Sequence, residues 1–158
     1  MRDKPHSLGL HLRQPRLLVV SMSAIAPLPP TIADPAERHM IGIVDIFATE
    51  ALRAQDKEQM IVAGFNASGT LKHWFMLDGA SDKILFDIDY LGAVLADPDC
   101  HYLAIAHNHP SGNPHPSRAD MRTTRHLADL CNETGVKLVE HIIVGSTENH
   151  HVFCQHSG

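Results

Sequence analysis

The sequence predicts an α/β domain in which a mixed β-sheet is flanked by helices. Three observations lead there. Residues 101–107 and 136–144 are mostly apolar runs that read as buried strands, a helical pattern lies between them, and two apolar stretches upstream are joined by a turn cluster, as in a hairpin. The 158-residue chain suits one domain, since single cores are typically built from on the order of 100 to 150 residues. With 44% apolar and 20% charged residues it can fill such a core.

Residues 1–33 are read as a variable or disordered amino-terminal segment. Arg13 and Arg16 precede an apolar run over 17–28 that contains Ala24-Ile25-Ala26, a pattern resembling a weak signal peptide. Against export, Pro27 would follow the cleavage point, His11, Ser21 and Ser23 dilute the segment, and the run is too short to span a bilayer. Met22 is an alternative start, and a cytoplasmic location is expected.

The folded domain is assigned to 34–158. Asp34 as N-cap, Pro35 at the first helical position and Glu37 closing a capping box announce a helix. Met40, Ile41, Val44, Phe47, Ala48, Ala51 and Leu52 recur at spacings of three and four, which buries one face of it, and it ends near Gln55. Residues 59–65 and 71–77 form the hairpin around Asn66-Ala67-Ser68-Gly69. A short helix over 88–96 is stopped by Asp97-Pro98-Asp99, and the 101–107 strand follows. After a loop with three prolines, a helix runs from Ser117 to about Glu133 and is closed by Gly135. Strand 136–144, a turn over 145–149 and a last strand over 150–154 complete the domain.

A net charge of −5 and the lack of a Lys/Arg run argue against a broad phosphate-binding surface, so direct nucleic-acid binding is not expected. No segment predicts a membrane span. Cys100, Cys131 and Cys154 are odd in number and widely spaced, as reduced thiols are. Thirteen histidines are more than solvation or core filling requires, which points to metal or substrate binding.

The informative segment runs from His107-Asn108-His109-Pro110 to Ser117-Arg118-Ala119-Asp120. Alternate residues of an extended chain share a side, and Pro110 biases His109 towards extended backbone, so both imidazoles can converge on one ion. The loop then returns Asp120. Two imidazoles and a carboxylate suit zinc, and three protein ligands leave a fourth tetrahedral position for water, as in catalytic sites. Ser117 and Asp120 taken alone read better as a helix capping box; it is the His-x-His-Pro pair that shifts the balance towards a metal. Asn108, between the ligands, should face away and support backbone. His115 reads as a loop histidine without assigned function.

His-x-His-Pro, with a Ser seven residues on and an Asp three later, resembles the JAMM signature of MPN-plus metalloproteases. Ala106-His107-Asn108-His109-Pro110-Ser111-Gly112, Pro114, Pro116 and Ser117, with Glu140-His141-Ile142-Ile143-Val144-Gly145, resembles the RadC family in particular. The resemblance covers roughly residues 57–155 and implies a JAB/MPN-type, cytidine-deaminase-like architecture. It implies one Zn2+ per chain held by His107, His109 and Asp120, and a zinc-activated water attacking an amide or isopeptide carbonyl of a peptide substrate. Glu58, in Asp56-Lys57-Glu58-Gln59-Met60-Ile61-Val62, matches the upstream glutamate and would be the base; Ser117 would hydrogen-bond the oxyanion. Without that motif Glu58 would read as a solvated residue ending a helix. Two departures stand out: residues 1–56 lack the glycine pattern of the family's helix-hairpin-helix region, and 79–85 differ from its usual wording.

A second reading is a DNA-repair-associated accessory or partner-binding protein whose metal is mainly structural. A zinc deaminase is excluded, because His-x-Glu and Pro-Cys-x-x-Cys are both absent. The string His-Asn-His matches the nucleases named for those letters only nominally.

Overall fold

The computed structural model describes residues 35–79 and 88–152. In chain order the elements are α1 (Pro35–Leu52), β1 (Gln59–Phe65), β2 (Leu71–Asp78), α2 (Ile88–Ala96), β3 (Tyr102–Asn108), α3 (Arg118–Thr134), β4 (Lys137–Val144) and β5 (Asn149–Val152). The five strands form one mixed sheet in the order β2-β1-β3-β4-β5, parallel between β3 and β4 and antiparallel elsewhere. This is the α/β architecture expected. Strand limits shift by a residue or two: the third strand begins at Tyr102 and includes Asn108, the fourth begins at Lys137, and the last begins at Asn149. Asp34 and Cys154, assigned above to a cap and a strand, lie outside the described residues, as does the segment 1–33.

Both faces of the sheet are covered, which is why β1, β3 and β4 are almost continuously buried and read as mostly apolar runs. On one face α1 packs Met40, Ile41, Val44, Ala48 and Leu52 against Ile61, Ala63, Phe65, Ala104, Ala106, Ile142 and Val144. On the other, Leu91, Val94 and Leu95 of α2 and Leu127 and Cys131 of α3 meet Met60, Val62, Leu103, Ile105 and Leu138. Each fully buried Ile, Leu or Phe contributes about 1.5–3 kcal/mol. Phe47, expected in the first helix's buried face, is instead 39% exposed and leans on Trp74 of edge strand β2, ring centroids 5.8 Å apart. Glu37 pairs with Lys137 of β4, tying the first turn of α1 to the sheet.

The connections follow local chemistry. The Asn66 carboxamide oxygen accepts from the Ser68 and Thr70 amides, and Gly69 takes φ 78°, closing the hairpin. Asp97 accepts from the Asp99 amide at 2.9 Å and contacts His73 at 2.7 Å, which ends α2 against β2. Gly135 (φ 75°) terminates α3 in the left-handed conformation and returns its amide to Asn132 and Cys131. Cys100 and Cys131 are free, buried thiols, with Cys131 pushed up to about 12 by burial. No helix among the described residues is long and apolar enough to cross a membrane.

Candidate metal centre

The carboxyl ends of parallel strands β3 and β4 open beside the start of α3, the position where open α/β sheets commonly hold ligands. Along β3 the face towards α2 and α3 carries Leu103 and Ile105 in the core and then His107 at the strand end. His109 lies one alternation further. Its amide donates to the Val144 carbonyl at 3.3 Å, and the Gly112 amide closes a turn onto the His109 carbonyl at 2.8 Å. Gly112 has φ 79°, and a Cβ there would meet Ser146 at 3.0 Å, so the loop needs glycine at this point.

The loop brings α3 back with Ser117 as N-cap. Ser117 Oγ accepts from the Asp120 amide at 3.1 Å and the Ser117 amide donates to Asp120 Oδ2 at 2.6 Å, a complete capping box. Capping does not exclude ligation here, because the same carboxylate also faces the two imidazoles. His107 Nε2 lies 3.1 Å from Asp120 Oδ1, His109 Nε2 lies 3.2 Å from Asp120 Oδ2, and the two Nε2 atoms are 3.0 Å apart. Tetrahedral ligands at roughly 2.0–2.1 Å from zinc are spaced about 3.3 Å apart, so the two imidazole nitrogens, and each of them with one carboxylate oxygen, nearly have the separation that such an ion demands. Among the described residues this is the one group of three ligand-type side chains able to hold a metal.

Electrostatics favour the ionised carboxylate. Burial opposes the charge on Asp120, but its close contacts with the His107 and His109 rings, with hydrogen bonds from the Ser117 hydroxyl and the Ser117 amide, outweigh it and hold the carboxyl well below its usual range. The Asp120 hydrogen bond, against burial, raises His109. Glu58 also raises it, which puts the Glu58 charge within electrostatic reach of the centre. The register agrees: Met60 pairs with His107 and faces α2 and α3, so Glu58, two residues before it, precedes β1 on the same side.

Asn108 points to the opposite side and organises that approach. Its Oδ1 accepts from the Gln59 amide at 2.8 Å, while Nδ2 donates to the Lys57 carbonyl at 3.0 Å. It therefore clamps the backbone on both sides of Glu58. His115 and His150 stack edge to face at 5.7 Å, outside the ligand group. The two residues that sequence reasoning left without a role are Thr124 and His141. His141 is fully buried, its Nε2 lies 2.7 Å from His107 Nδ1, and its Nδ1 lies 2.6 Å from Thr124 Oγ1. The only sequence signal was Glu140-His141, a polar pair in the middle of an apolar strand.

A protein-family model, the RadC-like JAB domain, matches residues 42–157. Among curated proteins, the chain is similar to a UPF0758 protein of Salinibacter ruber (30% identical, 68% of this chain, 46% of the relative). One from Photorhabdus laumondii is 30% identical over 66% of this chain and 46% of the relative. Another, from Coprothermobacter proteolyticus, is 37% identical over 52% and 34%. The chain thus spans less than half the length of these relatives. With the matched region containing the whole sheet and every residue of the metal-type cluster, the chain belongs to the RadC family and carries its JAB domain.

Proposed function

We propose that this domain is a zinc-dependent hydrolase acting on an amide or isopeptide bond of a peptide substrate, with His107, His109 and Asp120 as the ligands. The observation that carries the reading is the convergence of two imidazole nitrogens 3.0 Å apart, each within 3.1–3.2 Å of a carboxylate oxygen of Asp120, with three protein ligands rather than four. A divalent ion held there would acidify a bound water and polarise a carbonyl. Asp120 and the two imidazoles hold the site, and Asp120 is kept ionised by the cap of α3. Glu58 is the proton acceptor, passing the proton to the leaving nitrogen; Asn108 fixes the backbone that presents it. Ser117 Oγ accepts from the Asp120 amide, and its hydroxyl proton would turn from the Asp120 carboxylate to a developing oxyanion. The compartment proposed is the cytoplasm, and the free thiols Cys100 and Cys131 suit it.

The test is one preparation, reconstituted with zinc and assayed on peptides, isopeptides and DNA. Stoichiometric metal with metal-dependent amide hydrolysis supports the reading. Stoichiometric metal without hydrolysis of any amide would transfer the site to the structural role of an accessory protein.

A further inference from the structure

We propose that His141 and Thr124 are positioning residues that fix the tautomer of His107, so that its Nε2 presents a lone pair to the metal. The inference rests on reading His107 as a ligand and goes beyond it, because nothing in the ligand motif requires a third histidine.

The argument starts from a group that can only accept. Thr124 Oγ1 lies 2.8 Å from the backbone carbonyl oxygen of Asp120 and 2.6 Å from His141 Nδ1. A hydroxyl has one proton, and a carbonyl has none, so both contacts are hydrogen bonds only when Thr124 donates to Asp120 and accepts from His141 Nδ1–H. A neutral imidazole carries one ring proton, so His141 Nε2 is then bare. It sits 2.7 Å from His107 Nδ1, which must therefore be the donor. His107 Nε2 is left without a proton, and it is the atom that faces Asp120 Oδ1 and His109 Nε2. The chain of donors runs entirely through buried groups: His107 and His141 are both 0% exposed and Thr124 is 6% exposed, so no solvent can reset it.

The second imidazole is set in the same way. His109 Nδ1 lies 2.7 Å from the Asn113 carbonyl, which can only accept, so in the neutral ring that binds a metal His109 Nε2 is also bare. Each ligand ring is thus anchored by a main-chain carbonyl, directly for His109 and through two side chains for His107. Asp120 serves twice, its carboxylate at the centre and its carbonyl at the far end of the relay. The opposite polarity would place a proton on His107 Nε2, block ligation there and forfeit the Thr124 bond to Asp120.

The test compares zinc affinity, by competition with a chromophoric chelator, for wild type, Thr124→Val, His141→Phe and His141→Gln, alongside nitrogen NMR of the zinc-loaded wild type. His141→Phe removes the acceptor and should weaken zinc binding about 10–100-fold, the range for lost outer partners of metal ligands. His141→Gln, whose amide oxygen can accept from His107 and whose NH2 can donate to Thr124, should recover most of it, which a mere packing role would not produce. The spectra should show a protonated, exchange-protected His107 Nδ1 and a ligated Nε2. Thr124→Val is nearly isosteric and should also weaken binding; it carries the test if His141→Phe does not fold. Zinc binding that survives both substitutions unchanged, or a His107 ligated through Nδ1, overturns this inference alone. A wild-type protein that binds no zinc overturns the metal-centre reading and this inference with it.

Discussion

At the candidate centre the proposed roles divide most sharply between the residues that would hold a metal and the one that would move a proton. Replacing His107 and His109 together with Ala removes two of three ligands, so elemental analysis should find stoichiometric zinc in the wild type and none in the double variant. The fold should survive, because the core is independent of the metal, unlike that of a zinc finger. Glu58→Gln should behave differently: metal retained, turnover reduced roughly 10²–10⁴-fold, as is typical of a lost general base. Glu50→Gln and Asp56→Asn are the controls, since Glu50 is exposed on α1 and Asp56 is exposed before the strand. Full activity in Glu58→Gln would move the proton acceptor elsewhere. The pH dependence follows from His109, which the Asp120 hydrogen bond raises above the ordinary histidine value. A raised folded pKa stabilises the metal-free protein below about pH 6.5, and that contribution is lost as pH rises through the folded value. Zinc needs the neutral ring, so its affinity should increase over the same window; chelator competition between about pH 6 and pH 8 reads this directly.

At the scale of elements, the amino terminus of α3 combines a structural cap with a candidate ligand. Ser117→Ala removes the acceptor for the Asp120 amide and should cost about 1 kcal/mol of stability, the usual value of a lost N-cap. It also removes the proposed oxyanion donor, so turnover should fall by more than stability explains. Denaturant unfolding paired with kinetics separates the two. The β4–β5 turn that packs on the loop before the helix is equally constrained: a Cβ on Gly145 would meet the Glu148 carbonyl at 2.5 Å and the Gly112 carbonyl at 2.9 Å, so this turn tolerates nothing larger. The link between α1 and the β4–β5 turn, in which Arg53 reaches the Gly145 carbonyl and the Asn149 side chain, holds that loop from behind.

Across the whole molecule, the two faces of the sheet carry different polar burdens. The α2/α3 face holds the metal-type centre, while the α1 face buries Glu140 with His151 and Asp45 at its rim. Burial pushes Glu140 up, and its Oε1 accepts from the amide of its neighbour His141 at 3.0 Å. For His151, burial lowers the pKa but Glu140 outweighs it, so His151 is also raised. Both shifts have the same sign: stability is fullest below the ordinary carboxylate value and declines as pH rises through the two folded values. Glu140→Gln should flatten that decline in melting temperature between about pH 4.5 and pH 8, and an undiminished slope would locate the effect elsewhere. The net charge of −5 is a further property of the whole chain, and it predicts weak DNA binding. Tight binding at physiological salt, with a salt slope indicating several released counterions, would favour the accessory reading.

The sequence by itself determined the order and type of every described element and the His107-His109-Asp120 group, because each rests on short-range rules. Apolar runs, three- and four-residue spacing, the Asn66–Gly69 turn and the glycine after α3 act within a few residues. So does the His-x-His alternation. What lay beyond it depends on pairs far apart in the chain. Phe47 belongs by periodicity to the buried face, yet the sheet ends at β2 and leaves it half uncovered against Trp74. Glu37 also finds Lys137, a hundred residues away, a pairing that no local pattern announces. Only the parallel pairing of β3 with β4, with α3 packed across them, places His141 and Thr124 behind His107. A buried polar side chain must find a partner, but which partner it finds is set by strand order and register, which no local pattern encodes.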